Sequence, residues 1–253
     1  MKEQFTTNAI NLKSYSISEA DKIILMYSKE KGLIKGIAKG IKKTNSKLGG
    51  RMDLLVANKM MLNKGRNLDT ICQAEALNTF FNLRSDINKL FYAMYCCEIV
   101  TNFGTENDPN SEEIYNLFYT FLDNISCAKT KEQVMLSVLR FQLKIMNITG
   151  YSLELSECVK CHKTIGEEFY FSIEQGGILC GHCALDINKK VKIHNKIRGF
   201  LNTLLNEEFN SHTRYDDLAT EKVCDICINL LKSYIEYYSP KRFKTTRIIE
   251  GIR

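Results

Sequence analysis

Tryptophan is absent from the 253 residues and proline occurs twice. No internal repeat or low-complexity tract is present, which excludes a repeat architecture and a compositionally biased chain. No apolar run approaches the roughly eighteen residues that a membrane span needs. Met1-Lys2-Glu3-Gln4-Phe5 lacks an apolar stretch behind a basic start, so the expectation is a cytoplasmic protein with no membrane association. Also missing are GxxxxGK[ST], GxGxxG, GxSxG and HExxH, the motifs that cradle phosphates, present nucleophiles or hold catalytic metals. His194, His212 and the acidic pairs Glu112-Glu113, Glu207-Glu208 and Asp216-Asp217 fall on the solvent side of the patterns and read as surface or helix-end charge. No enzyme is expected.

Cysteine, by contrast, is plentiful at ten. Cys158-Val159-Lys160-Cys161 and Cys180-Gly181-His182-Cys183 form two CxxC pairs eighteen residues apart, the spacing of a zinc site. Two intervening residues let both thiolates of a tight turn point one way, so two turns supply four sulfurs to a tetrahedral Zn²⁺. Between them Phe169, Phe171 and Ile173 alternate with polar residues, and Gly176-Gly177 precedes Ile178-Leu179, which reads as a hairpin. So small a unit is unstable alone, whereas a structural zinc supplies roughly 10–16 kcal/mol in comparable peptides. A disulfide, a redox-active CxxC and a three-cysteine, one-histidine set using His162 or His182 are the alternatives. Cys72, Cys96, Cys97 and Cys127 sit among apolar residues and read as small buried hydrophobes. Cys224 and Cys227 fall in a helical apolar pattern and read as core.

The first eighty residues read as five short strands: from Ala9 to Tyr15, Lys22 to Tyr27, Leu33 to Ala38, Leu54 to Leu62 and Leu68 to Ala74. Five strands in that length fit a small barrel, an OB-fold first and an SH3-like barrel next. Helical spacing then takes over near 85–103, from 114 to 125, near 131–149, around 197–205 and over 219–238. The expected class is α+β: a barrel domain at 1–80, then an all-α domain at 81–253 with a zinc-finger-like insert at 155–185.

Charge is unevenly placed. Residues 1–80 carry fourteen Lys and Arg against seven Asp and Glu, and residues 241–253 carry five against one. Residues 29–51 hold eight cations and one acid, Glu30. A nucleic-acid backbone is the natural counterpart, because each neutralised phosphate releases counterion. A solvated lysine face is the alternative. The aromatic supply of the first eighty residues is only Phe5, Tyr15, Tyr27 and Phe80, which limits base stacking to a minor role. The zinc hairpin itself has Lys160 and Lys163 against Glu167, Glu168 and Glu174, so it reads as a clamp and not a DNA contact.

Ser18-Glu19-Ala20-Asp21-Lys22-Ile23, then Gly32, Ala38-Lys39-Gly40, Gln73-Ala74-Glu75 and the two CxxC pairs with Gly176-Gly177 ahead of the second resemble, in order and spacing, the bacterial recombination mediator RecO family. The resemblance covers nearly the whole chain. It implies an N-terminal OB-fold, a helical domain and a zinc-finger-like insert. It also implies binding of single- and double-stranded DNA, annealing of complementary strands and, with RecR, placement of RecA on DNA coated by single-strand binding protein (SSB), without covalent catalysis. The family's basic OB face corresponds to Lys35, Lys39, Lys42, Lys43, Lys47 and Arg51, and its basic C-terminal segment to Lys241, Arg242, Lys244 and Arg247. The acidic, apolar-ended SSB tail needs a hydrophobic pocket with basic rims, for which Arg140 and Lys144 are candidates. An RNA-binding OB protein with a structural zinc is the alternative function, and a thiol-disulfide oxidoreductase a third.

Overall fold

The computed structural model describes residues 3–207, 209 and 219–245. It resolves into two compact units, one formed by the chain through Cys127 together with the segment from Phe243, the other by Ala128–Arg242. The first unit therefore extends past the strand-to-helix change near residue 80.

Five strands build its start: β1 (Gln4–Ser16), β2 (Lys22–Ser28), β3 (Gly32–Ala38), β4 (Ala57–Asn63) and β5 (Asp69–Asn78). They close into a barrel in the order β1-β2-β3-β5-β4, antiparallel throughout except where β3 meets β5. That is the OB-fold arrangement. Period-two patterning explains it: Ile24, Met26 and Ala38 alternate inward and pack with Ala9, Met60, Leu62 and Ile71. Gly32 opens β3 with φ +66°, and any Cβ there would lie 2.3 Å from the Thr105 carbonyl oxygen, so only glycine fits this turn.

Two boundaries differ from expectation. β1 begins at Gln4 and not Ala9, pairing with β4 from Gln4↔Asn63 onward. Thr6, Thr7 and Asn8 hide the pattern because they are polar, yet Thr7 is buried with its hydroxyl 2.7 Å from Ser28 Oγ. Residues 54–56 are not strand: Leu55 has φ +62°, and Leu55 and Val56 exchange backbone hydrogen bonds with Asn11 ahead of β4.

Helices α1 (Ile87–Phe103) and α2 (Ser111–Cys127) complete the first unit. Asp86 caps α1 by accepting from the Asn88 and Lys89 amides. Asp108 accepts from the Thr105 and Asn110 amides ahead of α2 and from the Tyr27 hydroxyl of β2 at 3.2 Å, which ties helix to barrel.

The second unit contains α3 (Lys131–Ile148), a two-stranded sheet of β6 (Phe169–Ser172) and β7 (Gly177–Cys180), α4 (Asn195–Asn206) and α5 (Glu221–Tyr238). Thr130 and Gln133 form a reciprocal capping box at the start of α3. α3, which buries Leu139, Phe141 and Met146 on different sides, packs on α5, which buries Cys224, Cys227, Ile228 and Leu231.

Of the cysteines read as core, Cys96, Cys97, Cys224 and Cys227 are buried. Burial pushes the Cys97 and Cys227 thiols up to about 12 and that of Cys224 to about 11, so they stay protonated and unreactive. Cys127 and Cys72 are corrections. Cys127 is exposed because it is the last residue of α2, and Cys72 is half-buried on β5.

Candidate functional site

The two CxxC turns converge. In the first, the His162 amide donates to the Cys158 carbonyl at 2.8 Å and the Cys158 amide to the Lys163 carbonyl at 3.0 Å, with His162 at φ +56° turning the chain. In the second, the Ala184 amide donates to the Cys180 carbonyl, and the Cys183 amide approaches Cys180 Sγ at 3.5 Å. The turns bring all four sulfurs within 4.8 Å of one another. Cys161 Sγ and Cys180 Sγ are 3.9 Å apart, against about 3.8 Å for the edge of a tetrahedron with zinc–sulfur bonds of about 2.3 Å.

Burial alone would push the Cys158 thiol up, but the Cys180, Cys161 and Lys160 amides outweigh it and hold that thiol below its ordinary range. Cys183 moves the other way, raised by burial and then by its hydrogen bonds to the other three sulfurs. With all four sulfurs within 4.8 Å of one another, the set has the size of the thiolate shell around a tetrahedral dication. The four cysteines could therefore hold a metal ion, and the histidines stay outside the group: His162 Nδ1 lies 2.9 Å from Glu157 Oε1.

The hairpin is fastened to α5. The Tyr238 hydroxyl donates to the Ile173 carbonyl at 3.1 Å, and the Tyr234 hydroxyl to that of Tyr151 at 3.2 Å, with Phe171 edge-on to the Tyr234 ring. Phe171 and Val191 exchange two backbone hydrogen bonds of 2.8 Å. Lysines near the hairpin face acids: Lys189 lies 3.5 Å from Glu174, Lys192 3.9 Å from Glu168 and Lys160 4.0 Å from Asp186. A cavity of about 470 Å³ between hairpin and α5 has Glu174 and Glu236 in its lining beside Lys189 and Lys190, so it offers no clear preference for an anion.

Cations cluster on the barrel instead. Lys35 projects from β3, and Lys39, Lys42, Lys43, Lys47 and Arg51 follow on the loop to β4; all six side chains are exposed. The loop is held at both ends. Gly40, at φ +64°, donates its amide to Asp21 Oδ1 at 2.7 Å, and the Lys42 amide donates to the Ala20 carbonyl at 3.1 Å. At the far end the buried amides of Asn11 and Asn58 both donate to the Arg51 carbonyl at 2.8 Å. Ile41, Leu48 and Met52 plug into the barrel core, which leaves residues 42–47 arched over that end. Two of the six cations also serve the loop: Lys42 Nζ donates to the Ser18 carbonyl at 2.9 Å and the Arg51 guanidinium to that of Lys47.

Lys13, which the sequence reading passed over, joins this surface. β1–β2 pairing sets Lys13 opposite Leu25 and Tyr15 opposite Ile23; β2–β3 pairing sets Leu25 opposite Lys35 and Ile23 opposite Ile37. Paired residues share a face and Ile24, Met26 and Ala38 point inward, so two outer rows result: Lys13-Leu25-Lys35 and Tyr15-Ile23-Ile37. Knowledge of register was needed to find them.

The C-terminal segment behaves differently from a free basic tail. Glu98 of α1 accepts the Lys244 and Thr245 amides at 2.9 Å each and the Thr245 hydroxyl at 2.7 Å, while Phe243 packs 5.9 Å from the Tyr95 ring. The Lys241, Arg242 and Lys244 side chains remain exposed. Arg247, Glu208, His212 and Asp216-Asp217 lie outside the described residues. Arg140 is only 9% exposed and lies 3.5 Å from Glu207, and Lys144 Nζ donates to the Leu205 carbonyl, so neither forms an open basic rim. Among the described residues no helix is long and apolar enough to cross a membrane.

Comparison with known proteins matches residues 84–247 to the family described as Recombination protein O C terminal and residues 1–80 to that described as Recombination protein O N terminal. The DNA repair protein RecO of Desulforamulus reducens is 32% identical over 251 residues, covering 98% of this chain and 94% of that protein. That of Acetivibrio thermocellus is 28% identical over 94% of this chain and 91% of its own length, and that of Dehalococcoides mccartyi 33% identical over 71% and 70%.

Proposed function

The chain belongs to the recombination protein O family of DNA repair proteins, and from that premise we propose that it is a non-enzymatic mediator of homologous recombination that binds single- and double-stranded DNA and anneals complementary strands. The observation that carries the reading is the arched basic loop. Lys39, Lys43 and Lys47 stand in solvent on a segment fastened at both ends, with Lys35 beside them. Cations carried on a fastened backbone neutralise phosphates without the loop first having to be ordered, and they lower the repulsion between two strands brought together. Lys42 and Arg51 add charge while serving the loop, and Lys241, Arg242, Lys244 and Arg247 supply a second DNA or partner contact.

The finer parts of the proposal follow from family membership. The protein works with RecR to place RecA on SSB-coated single strands, meets the C-terminal tail of SSB, and acts in the bacterial cytoplasm at the nucleoid. We propose an OB-fold domain at 1–80 and a helical domain at 81–253 with the insert at 155–185; the change from β5 to α1 supports this division, although the compact units separate at Cys127. Cys158, Cys161, Cys180 and Cys183 hold one structural Zn²⁺ that clamps the hairpin; the sulfur geometry supports this. The test is annealing of complementary oligonucleotides without ATP. Replacing Lys39, Lys43 and Lys47 by Glu should abolish it with the circular-dichroism spectrum unchanged, and retained annealing would refute the assignment. Stronger competition by RNA than by single-stranded DNA would move the substrate to RNA.

A further inference from the structure

Three of the four aromatic side chains in the strand region are engaged in packing. Tyr27 and Phe80 are buried, and Lys31 Nζ sits 3.7 Å from the centre of the half-buried Phe5 ring. Tyr15 is 45% exposed. It stands near the end of β1 on the outer face, one row along from Lys13-Leu25-Lys35, with Lys13 Nζ 5.3 Å from its ring centre. Two residues on, Ile17 is also exposed, and the next turn residues, Ser18 and Ala20, are those to which Lys42 fastens the basic loop. An aromatic ring is thus presented to water beside Lys13, on a strand that pairing with β2 makes rigid and whose following turn carries the anchors of the basic loop.

We infer that Tyr15 is the stacking platform for one unpaired nucleobase of a strand whose phosphates lie along Lys13, Lys35, Lys39 and Lys43. This rests on the nucleic-acid reading of the basic face and adds a means of telling single strands from double. Phosphate contacts alone accept both. A base within a duplex is already stacked above and below and offers no free face, whereas an unpaired base does. Stacking also occupies the face of the base and leaves its pairing edge in water, so a strand held on Tyr15 stays ready to meet its complement.

Because the chain has no tryptophan, Tyr15→Trp introduces a single reporter at the site. Titration with an oligothymidylate should quench its emission in step with binding followed by anisotropy of a labelled strand. An abasic strand of equal length should bind through phosphates and leave the emission unchanged. Tyr15→Ala should weaken single-strand binding about tenfold and leave duplex binding unaltered, and Tyr15→Phe should retain single-strand affinity. Binding of the oligothymidylate without quenching, or equal losses for single and double strands in Tyr15→Ala, would overturn the inference while leaving the basic face intact. Failure of the wild-type chain to bind either strand would overturn the nucleic-acid reading and this inference with it.

Discussion

The hydroxyl of Tyr238, the last residue of α5, donates to the carbonyl of Ile173 in the turn of the cysteine hairpin at 3.1 Å and lies 3.3 Å from that of Glu174. The hairpin is thereby joined to the helix that packs on α3, and what stabilises one stabilises the other. Tyr238→Phe keeps the ring contacts with Tyr234 and Tyr151 and removes only the hydrogen bonds. It should lower unfolding free energy by about 1 kcal/mol in urea titration.

The four-sulfur cluster carries a larger share. Cys161→Ser or a strong chelator should abolish stoichiometric zinc and lower the melting temperature by many degrees, since structural zinc contributes on the order of 10 kcal/mol in small sites. DNA affinity, measured where the protein is still folded, should be unchanged. Lost affinity at unchanged melting temperature would show the hairpin to be a DNA contact.

The convergence of Cys158, Cys161, Cys180 and Cys183 was legible in the sequence because the spacing of such a cluster is imposed by turn geometry, which CxxC displays directly. The barrel was legible where one face is apolar, as in β2 and β3, and illegible at Thr6-Thr7-Asn8, where polar residues pair across strands. Leu54-Leu55-Val56 read as strand because apolar identity says nothing about a left-handed residue such as Leu55. The six basic positions were visible as charge, but not that Lys42 and Arg51 close the loop, nor that Lys13 shares the outer face. The Lys42 and Lys13 placements depend on partners well away in the chain, and the Arg51 contact on a loop conformation that charge does not encode.

Glu98 holds the segment after Phe243 with three donors to one carboxylate, a charge-assisted arrangement stronger than neutral hydrogen bonds. Glu98→Ala should release it. Trypsin should then cut at Lys244 faster than in the wild type, with about 1 kcal/mol of stability lost. Unchanged cleavage would show that the carboxylate does not hold the segment.

Alkaline pH should expose the buried phenols. Burial, and then the Asp108 carboxylate, raise the Tyr27 phenol far above the ordinary 10.0, and burial does the same to Tyr115 and Tyr234. Each is protonated in the folded chain and ionises near pH 10 when unfolded. Their contribution to stability is therefore full below about pH 10 and is lost as pH rises above it. Tyrosinate absorbance should show these phenols ionising only together with unfolding, and Tyr27→Phe should reduce the alkaline decline. Ionisation of all tyrosines with the fold intact would contradict this.

The central claim is that cations arched over the barrel end hold DNA by its phosphates, and the salt dependence of affinity tests it most directly. With four to six contacts, a plot of log K against log salt should fall with a slope of about −3 to −5, and Ala at Lys39, Lys43 and Lys47 should each reduce that slope by about 0.7 to 0.9. A flat plot, or a slope unchanged in the triple variant, would contradict it.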